Sequence, residues 1–432
     1  MATPLYDAVR KYIENTKVRT HTPGHSGKAD TLSCFNDMLP FDVTEVEGLD
    51  SLYHADGVIA KAEKLASELF GTKATLFSAG GCTLAIQTML ALTLKEGDTL
   101  LCSRNAHTSV QNCCGLLGVD MQFVYPNDDM RISPCDVKAA LEQNDKIKAV
   151  MITSPNYYGI ISDVKAISDV CKEKNLPLLV DNAHGTHLNF FGLHPIQQGA
   201  DITACSAHKT LPVLTGGAYL NIANEKYVSG AKQKMSMFGS TSPSYPIMIS
   251  LDICREYCEN KAKADFLQLE QKVRHLKEVA IGQEIRVLDS NCDPVRLTLD
   301  MGTLGEKTAQ TLREHGVECE MSDERFVVMI LTPFHTDEQL SVIENAIKHC
   351  PKSTDAPLGK DLHKTTFAMS VRKAMFAESQ CVDIENAVGR VAAACVTLCP
   401  PGIPVTVPGE VISSEIVDIL KNSGTFKINV IK

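Results

Sequence analysis

The sequence predicts an α/β fold, with a mostly parallel sheet sandwiched by helices and a smaller α/β domain at the C-terminal end. Two observations support this fold class. Strand-like and helical patterns alternate from residue 74 to residue 220, as they do when helices connect parallel strands. A second, shorter alternation begins after Glu284. We therefore predict an N-terminal helix and arm (residues 1–50), a large domain (residues 51–285) and a C-terminal domain (residues 286–432).

Composition and charge narrow the class of protein. The chain has 432 residues, 44% of them apolar and 22% charged, as is typical of a soluble globular enzyme. The net charge is −10 without a long basic run, which argues against a nucleic acid partner. The first 20 residues lack an apolar signal core, and no stretch reaches the ~18–20 apolar residues of a membrane span.

The cysteines favour a reducing compartment. Sixteen occur at irregular spacings without a C-x-x-C pair. Disulfide scaffolds are typically short and loop-rich, unlike this chain. We interpret the cysteines as mostly buried thiols and predict a cytoplasmic protein without membrane contact.

The first part of the chain is predicted to contain two helices and a connecting arm. Apolar side chains recur at helical spacing over residues 4–15. A turn-rich loop with two histidines follows at residues 20–27, and residues 28–50 have little regular pattern. A second helix is predicted over residues 59–70, with Gly71 ending it.

The first strand of the predicted sheet leads into a glycine turn. Residues 74–78 have the pattern of a strand, Ala79-Gly80-Gly81-Cys82-Thr83 follows, and an apolar helix is predicted over residues 84–94. A strand, a glycine turn and a helix in this order direct backbone N–H groups at a phosphate. On its own, the glycine pair also fits a plain turn.

The second strand, predicted over residues 99–102, is followed by Arg104-Asn105-Ala106-His107-Thr108-Ser109. Ligands of open α/β sheets gather outside the carboxyl ends of the strands, so His107 is placed to lie over a flat cofactor ring. The alternative is a helix-capping cluster of Asn105 and Ser109 in which His107 is incidental. The next predicted elements are strands at residues 119–124 and 149–152 and a helix at residues 164–174.

An aspartate and a lysine carry the strongest functional indication. The strand-like run Leu178–Asp181 ends in an acid, and 28 residues later Lys209 lies in the small, polar run Ser206–Thr210. A lysine that bonds to an aldehyde and an acid that keeps a pyridine nitrogen protonated are what a pyridoxal phosphate (PLP) site requires. Taken singly, Lys209 fits a surface residue and Asp181 fits a helix cap. Together, in this context, they predict a PLP site.

The later part of the chain is predicted to be a polar helical region, a second α/β series and a proline-rich tail. Residues 222–280 are polar and helical, and residues 351–364 form a polar linker. The predicted elements between them are strands at residues 295–299 and 326–331 and helices at residues 308–315 and 338–349.

Taken together, these motifs resemble the Orn/Lys/Arg decarboxylase family of PLP enzymes, which has the aspartate-aminotransferase-like fold (PLP fold type I). The resemblance covers most of the chain and fits the short form of the family, without an N-terminal receiver-like wing. The motifs that carry it are Thr22-Pro23-Gly24-His25, Gly48-Leu49-Asp50-Ser51-Leu52, Arg104-Asn105-Ala106-His107, Asp181-Asn182-Ala183-His184-Gly185, Ser206-Ala207-His208-Lys209-Thr210-Leu211-Pro212, Ser242-Pro243-Ser244-Tyr245, Pro400-Pro401-Gly402-Ile403-Pro404 and Pro408-Gly409-Glu410.

The resemblance implies PLP-dependent decarboxylation of a basic amino acid, with arginine, lysine and ornithine unranked. Lys209 would bond to the cofactor, Asp181 would pair with its pyridine nitrogen, His107 would stack on its ring and His184 would support Asp181. Either His208 or Lys209 would return a proton to Cα. The residues implied at the phosphate are Gly81, Cys82, Thr83, Ser206 and His208.

The resemblance also implies a homodimer with shared active sites, in which the loop Ser240-Thr241-Ser242-Pro243 reaches the neighbour's phosphate. Glu410 follows several prolines, which stiffen the backbone. It is therefore predicted either to select a cationic substrate or to cap a helix that begins near Val411. Four positions near the expected pocket depart from the family pattern and leave the substrate open: Tyr53, Cys82, Gly216 and Cys399.

Three other functions stay open. An aminotransferase or another lyase has the same fold and differs only in which Cα bond breaks. An inactive PLP-binding partner subunit would explain the departures near the pocket. A metal hydrolase would use Asp181, His184 and His187 as ligands, but it leaves Lys209 unexplained. We therefore expect no metal.

Overall fold

A computed structural model of the chain describes residues 2–355, 364, 366–398 and 402–432. Cys399, Pro400 and Pro401, which the sequence analysis singled out, lie outside this range. The helices of the described residues are α1 (Pro4–Asn15), α2 (Val58–Phe70), α3 (Gly81–Thr93), α4 (Thr108–Leu117), α5 (Pro134–Gln143), α6 (Val164–Glu173), α7 (Ala207–Thr210), α8 (Ala231–Ser236), α9 (Tyr245–Tyr257), α10 (Lys263–Gly282), α11 (Gly305–Glu314), α12 (Asp337–His349), α13 (Val371–Met375) and α14 (Ser414–Asn422).

Strands alternate with these helices as the sequence predicted. They are β1 (Ala74–Ser78), β2 (Thr99–Ser103), β3 (Asp120–Val124), β4 (Ile147–Thr153), β5 (Leu178–Asp181), β6 (Ile202–Cys205), β7 (Ala218–Ile222), β8 (Arg286–Val287), β9 (Arg296–Asp300), β10 (Met321–Ser322), β11 (Phe326–Ile330), β12 (Ser379–Asp383), β13 (Val396–Leu398), β14 (Ile403–Thr406) and β15 (Lys427–Ile431).

The strand order of the large sheet is β1-β7-β6-β5-β4-β2-β3. Strand β2 pairs in parallel with β3 and β4, whereas β7 pairs antiparallel with β1 and β6. Strands of parallel sheets are covered on both faces and are therefore apolar along their whole length. All five residues of β2 are buried, in agreement with this rule. The mostly parallel sheet confirms the predicted fold class.

The chain divides into two compact units. The first consists of residues 1–92 and 180–267, and the second consists of residues 93–179 and 268–432. Each unit is formed by two separate stretches of the chain, so the chain passes from one unit to the other three times. The predicted domain boundaries after residues 50 and 285 remain a prediction.

The core of the first unit packs α1, α2 and α9 around strands β1 and β7. Leu5 and Val9 of α1 are buried, which confirms the amphipathic pattern predicted for residues 4–15. The backbone N–H groups of Leu5 and Tyr6 donate to the Asp252 carboxylate at 2.9 and 3.2 Å. The first turn of α1 is therefore held by an acid from α9.

The second unit contains the predicted C-terminal series and six short strands that the sequence did not predict: β8, β10, β12, β13, β14 and β15. Strands β8 to β11 form a sheet in the order β10-β11-β9-β8. Strand β12 pairs with β15, and β13 pairs with β14. Helix α14 buries Ile416, Val417 and Leu420 against this region. These strands are two to five residues long, which is too short for a periodicity argument.

Three local predictions need correction. Helix α3 begins at Gly81 and not at residue 84, so the glycine turn is its first turn. Helix α5 was missed, although Ser133 caps it and Pro134 occupies its first turn, a recognisable start signal. The helix predicted near Val411 begins at Ser414, where Ser413 provides the cap.

Two predictions about the chain as a whole can be compared with the structure. The fifteen cysteines in the described part of the chain are thiols and not disulfides, and eight of them are buried. In the same residues, none of the helices has both the length and the apolar character needed to cross a membrane.

Candidate active site

Lys209 lies on the short helix α7, directly after the buried strand β6. Its Nζ atom is 2.9 Å from Nε2 of His184, which is buried. His184 belongs to the segment that follows β5, and this segment runs beside β6 because Asn182 N donates to Ala204 O at 2.9 Å. The His184 ring thus contacts the lysine amine, a partner that the sequence did not predict.

Asp181 occupies the carboxyl end of β5, where it is only 2% exposed. Its Oδ1 atom accepts a hydrogen bond from Ala183 N at 3.1 Å, and the Cys82 thiol lies 4.0 Å from the same oxygen. Burial and the negative charge of Asp181 raise the pKa of the Cys82 thiol well above its ordinary value. Cys82 therefore stays protonated, and its side chain faces the carboxylate as a donor.

The glycine turn before α3 approaches the same place, but not in the predicted way. Gly81 has a φ of 71°, and its N–H donates to Gly216 O at 2.8 Å. This bond uses the Gly81 N–H to shape the turn, and the part of Gly81 in holding a phosphate stays a prediction. Within the described residues, no acceptor is seen for the backbone N–H groups of Cys82 and Thr83, and the Thr83 side chain is exposed.

The segment that contains Gly216 joins two parts of the site. Gly217 O accepts hydrogen bonds from His208 N at 3.2 Å and from His208 Nδ1 at 3.1 Å. The proton on His208 Nδ1 is thereby committed to a backbone carbonyl. Ser206 is buried at the start of α7. The departure from the family pattern at Gly216 thus lies where the glycine turn meets α7.

His107 belongs to the second unit, at the N-terminus of α4. Its Nδ1 atom accepts a hydrogen bond from Ser109 N at 3.1 Å and is 2.9 Å from Ser109 Oγ. Of the suggested capping cluster of Asn105 and Ser109, only Ser109 takes part in the cap, and His107 is the capping residue and not an incidental member. A neutral His107 ring that accepts at Nδ1 carries its proton on Nε2.

Glu410 has neither of its predicted roles. It is fully buried, and its Oε2 atom accepts from Val407 N at 2.9 Å and lies 3.6 Å from a nitrogen of the buried Arg104 guanidinium. A substrate cation cannot reach a carboxylate enclosed in this way. The helix that Glu410 was predicted to cap begins four residues later. The long-range partner Arg104 could not be found from local sequence.

The metal hydrolase alternative loses its ligand set. In the residues that the structure describes, no group of three or more His, Cys, Asp or Glu side chains could hold a metal ion. His187 instead stacks on Phe266, with 5.4 Å between the ring centres. The three residues of the D-x-x-H-x-x-H spacing thus have separate surroundings. Asp181 ends β5, His184 contacts Lys209, and His187 packs on Phe266.

Comparisons with known proteins agree with this arrangement. The chain matches the major domain of Orn/Lys/Arg decarboxylases over residues 3–296 and their C-terminal domain over residues 361–429. It is 30% identical to an arginine decarboxylase of Halalkalibacterium halodurans, with 96% of this chain and 91% of that protein covered. It is 32% identical to the uncharacterized protein YaaO of Bacillus subtilis, which it matches over 100% of its own length and 96% of the other.

Solved structures establish the fold. The constitutive lysine decarboxylase of E. coli superposes with a TM-score of 0.82 at 18% sequence identity, covering 100% of this chain and 82% of that one. An SPT structure with PLP superposes with a TM-score of 0.57 at 14% identity, covering 70% and 80%. The architecture is that of PLP fold type I. By sequence and by fold, this chain belongs to the Orn/Lys/Arg decarboxylase family and is an amino acid decarboxylase.

Proposed function

We propose that this chain decarboxylates a basic amino acid, arginine in the first place, with PLP as its cofactor. Relatives named arginine decarboxylase match it over more than nine tenths of both chains at 30% identity. The relative named constitutive lysine decarboxylase is 24% identical and is covered over 53% of its length. This difference favours arginine over lysine as the substrate.

The observation that carries the proposal is the contact between the Lys209 amine and His184, in the unit that also holds the buried Asp181 carboxylate. The chemistry of this donor set fits PLP. Lys209 would bond to the aldehyde, Asp181 would face the pyridine nitrogen, and the N–H groups of Cys82 and Thr83 at the start of α3 would hold the phosphate. When bound, PLP supplies an acceptor for the electron pair left at Cα when CO₂ departs.

Asp181 would hold a proton on the pyridine nitrogen. Two unit charges ~4 Å apart at an effective dielectric of ~20 attract by about 4 kcal/mol, which corresponds to about three pKa units. That is enough to keep the nitrogen protonated at neutral pH. The protonated Cys82 thiol near Asp181 Oδ1 assists by keeping a second negative charge out of the site.

Of the two predicted proton donors to Cα, the contacts favour Lys209. His208 Nδ1 is bonded to Gly217 O, which leaves Nε2 as the ring nitrogen able to carry a proton. Lys209 has His184 at hydrogen-bond distance, and this ring can accept a proton from the amine and return one. We therefore assign the proton transfer to Lys209 and place His184 behind it as its relay.

One experiment tests cofactor and reaction together. The purified protein is reduced with borohydride, and peptide mapping is expected to find a pyridoxyl group on Lys209. The unreduced protein is then given arginine, lysine, ornithine and neutral amino acids, and CO₂ and keto acid are both measured. CO₂ from arginine supports the proposal. Keto acid would indicate an aminotransferase, no turnover would indicate an inactive partner subunit, and a label on another lysine would refute the site.

We further propose a cytoplasmic homodimer. The N-terminal arm exposes large apolar side chains, Phe35 at 52% and Met38 at 42%, and Met237 beside the loop Ser240–Pro243 is 62% exposed. Large apolar side chains that stay exposed are typical of surfaces that bind another chain. Light scattering should give twice the mass of one chain, and an active monomer at assay concentration would contradict the dimer.

A further inference from the structure

A segment from the C-terminal part of the chain lies against the His107 ring. Gly402 has a φ of 76°, and a Cβ atom added to it would lie 3.1 Å from His107 Cδ2 and 3.2 Å from His107 Nε2. The Gly402 carbonyl oxygen also accepts a hydrogen bond from Thr108 N at 3.2 Å. Glycine adopts this φ without strain and leaves room for the ring. Gly402 therefore forms a close wall at one edge of the imidazole.

Two buried charged side chains fix the backbone that follows Gly402. Arg104 donates to Pro404 O at 2.7 Å and to Val405 O at 2.8 Å, and its guanidinium lies 3.6 Å from the Glu410 carboxylate. Both side chains are at most 2% exposed, and charged hydrogen bonds in such surroundings are strong. Because Arg104 precedes His107 by three residues, this ion pair ties the Gly402–Glu410 segment to the chain that carries the ring.

The opposite edge of the ring is held as well. Ser109 N donates to His107 Nδ1 at 3.1 Å, so Nδ1 serves as an acceptor and Nε2 carries the proton of the neutral ring. The ring thus has a hydrogen bond at Nδ1, and its other edge faces Gly402 so closely that an added Cβ atom would lie 3.1 Å from Cδ2 and 3.2 Å from Nε2. A side chain confined at both edges keeps one plane.

We propose that Gly402, fixed by the Arg104–Glu410 ion pair, is a positioning residue that sets the plane of the His107 ring for decarboxylation. This inference rests on the proposed function, because it takes His107 as the residue that stacks on the bound cofactor. A tilted ring would misalign the cofactor and the substrate carried on it. Small misplacements of this kind lower the rate of the chemical step more than they lower binding.

A double-mutant cycle on the full chain tests the contact without using activity. Gly402→Ala adds a methyl group against the ring, and Gly389→Ala is the matched control, since Gly389 has a φ of 77° but no atom within 4 Å of an added Cβ. The cycle pairs each change with His107→Ser, which removes the ring and keeps a good N-cap for α4. We expect Gly402→Ala to lower Tm at least about twice as much as Gly389→Ala with His107 present, and equally in the His107→Ser background.

The catalytic part of the inference has its own readout. With wild-type His107, Gly402→Ala should lower kcat about tenfold and leave KM within about twofold. The circular dichroism of the bound cofactor should change as well, whereas Gly389→Ala should change neither kinetics nor spectrum. If Gly402→Ala alone does not fold, the His107→Ser/Gly402→Ala double variant must fold for the contact to stand.

Each outcome decides the matter. An extra Tm loss that persists in the His107→Ser background would mean that the methyl group meets something other than the ring, and the proposal fails. Equal Tm losses of the two alanine variants with His107 present would also overturn it. If Gly402→Ala causes an extra loss of Tm that His107→Ser relieves, but changes neither kcat nor the spectrum, the contact stands and the catalytic role is refuted. If the chain has no PLP or no decarboxylase activity, the Tm cycle still reports on the contact, so the two failures are distinguishable.

Discussion

The N-termini of α2 and α3 belong to the same unit. Each begins with backbone N–H groups that need an acceptor, but within the described residues the chain supplies a carboxylate only at α2. The first backbone N–H groups of a helix have no partner within the helix and attract negative charge. At α2 that charge is built in. At α3 it is missing from the described residues, and this helix starts beside Asp181.

At α2 the Asp50 carboxylate supplies the negative charge. It accepts hydrogen bonds from Gly57 N at 2.9 Å, Ile59 N at 3.0 Å and Ala60 N at 3.4 Å, and from the N–H groups of Ser51 and Asp56 before the helix. Burial would raise the pKa of Asp50, but these backbone donors outweigh it and hold the pKa below its ordinary value. Asp50 is therefore an ionised cap that stabilises the fold.

At α3 the corresponding N–H groups of Cys82 and Thr83 face no described acceptor, and the nearest acid, Asp181, faces the Cys82 thiol. A helix start whose N–H groups are left open suits an anionic ligand. We therefore expect the α2 start, where the chain supplies the anion, to serve the fold, and the α3 start, where it does not, to bind an anion from outside the chain.

The largest effect is expected when an anion is built into α3. Thr83→Asp puts a carboxylate in the first turn, and at ~5 Å and an effective dielectric of ~20 it repels each phosphate charge by about 3 kcal/mol. We predict that PLP affinity falls at least about a hundredfold, while the cofactor-free protein keeps its Tm. The control Thr83→Asn separates charge from the lost hydroxyl. Unchanged affinity in Thr83→Asp would show that the phosphate binds elsewhere.

The next effect is expected when the anion is removed from α2. Asp50→Asn is the suitable change, since Asp50 has a φ of 71°, a conformation that Asn tolerates. We predict a loss of about 2 kcal/mol in the free energy of unfolding, because several charged hydrogen bonds become neutral or are lost. PLP content per folded molecule should stay the same. If Asp50→Asn is fully stable but binds PLP poorly, Asp50 serves cofactor binding and not stability, and the distinction between α2 and α3 is wrong.

The same cap predicts a pH dependence. Because the folded pKa of Asp50 is depressed, its contribution is present above the unfolded pKa of about 4 and is lost as pH falls below it towards the folded pKa. The difference in unfolding free energy between wild type and Asp50→Asn should be constant from about pH 5 to 7 and shrink below about pH 4. The exposed neighbour Asp56 provides the control, and Asp56→Asn should show no such change.

The sequence predicted the elements better than the partners of the side chains. Strand β5 was predicted at its observed bounds, and α2 within one residue, because apolar spacing and the terminal Gly71 are local signals. The partners of Asp50 and Glu410 were not predicted, since Asp50 bonds to a helix start seven to ten residues away and Glu410 pairs with an arginine about 300 residues away. Neither spacing leaves a periodic trace in the sequence.

In the candidate site, too, the sequence pointed to residue types but not to the contacts between them. The residue types at Lys209 and Asp181 were the basis on which a PLP site was predicted, and their roles in it stay a prediction. The contact of His184 with Lys209 and the use of the Gly81 N–H by Gly216 depend on how separate loops meet. The resemblance supplied roles for these residues, and the contacts add partners that it did not name.

The smallest effect is expected for Gly81, which is the first residue of α3. An added Cβ would meet no atom within 4 Å there, so Gly81→Ala changes little except the cost of a positive φ, about 1 kcal/mol. Gly71 at the end of α2 has a φ of 65° and the same open surroundings, and Gly71→Ala should cost the same in a urea titration. Because the Gly81 N–H already bonds to Gly216, we predict that PLP affinity changes less than about threefold in both variants. A tenfold loss in Gly81→Ala alone would mean that the bound phosphate approaches Gly81 too closely for a side chain. The open part of α3 would then begin one residue earlier than the N–H groups of Cys82 and Thr83 indicate.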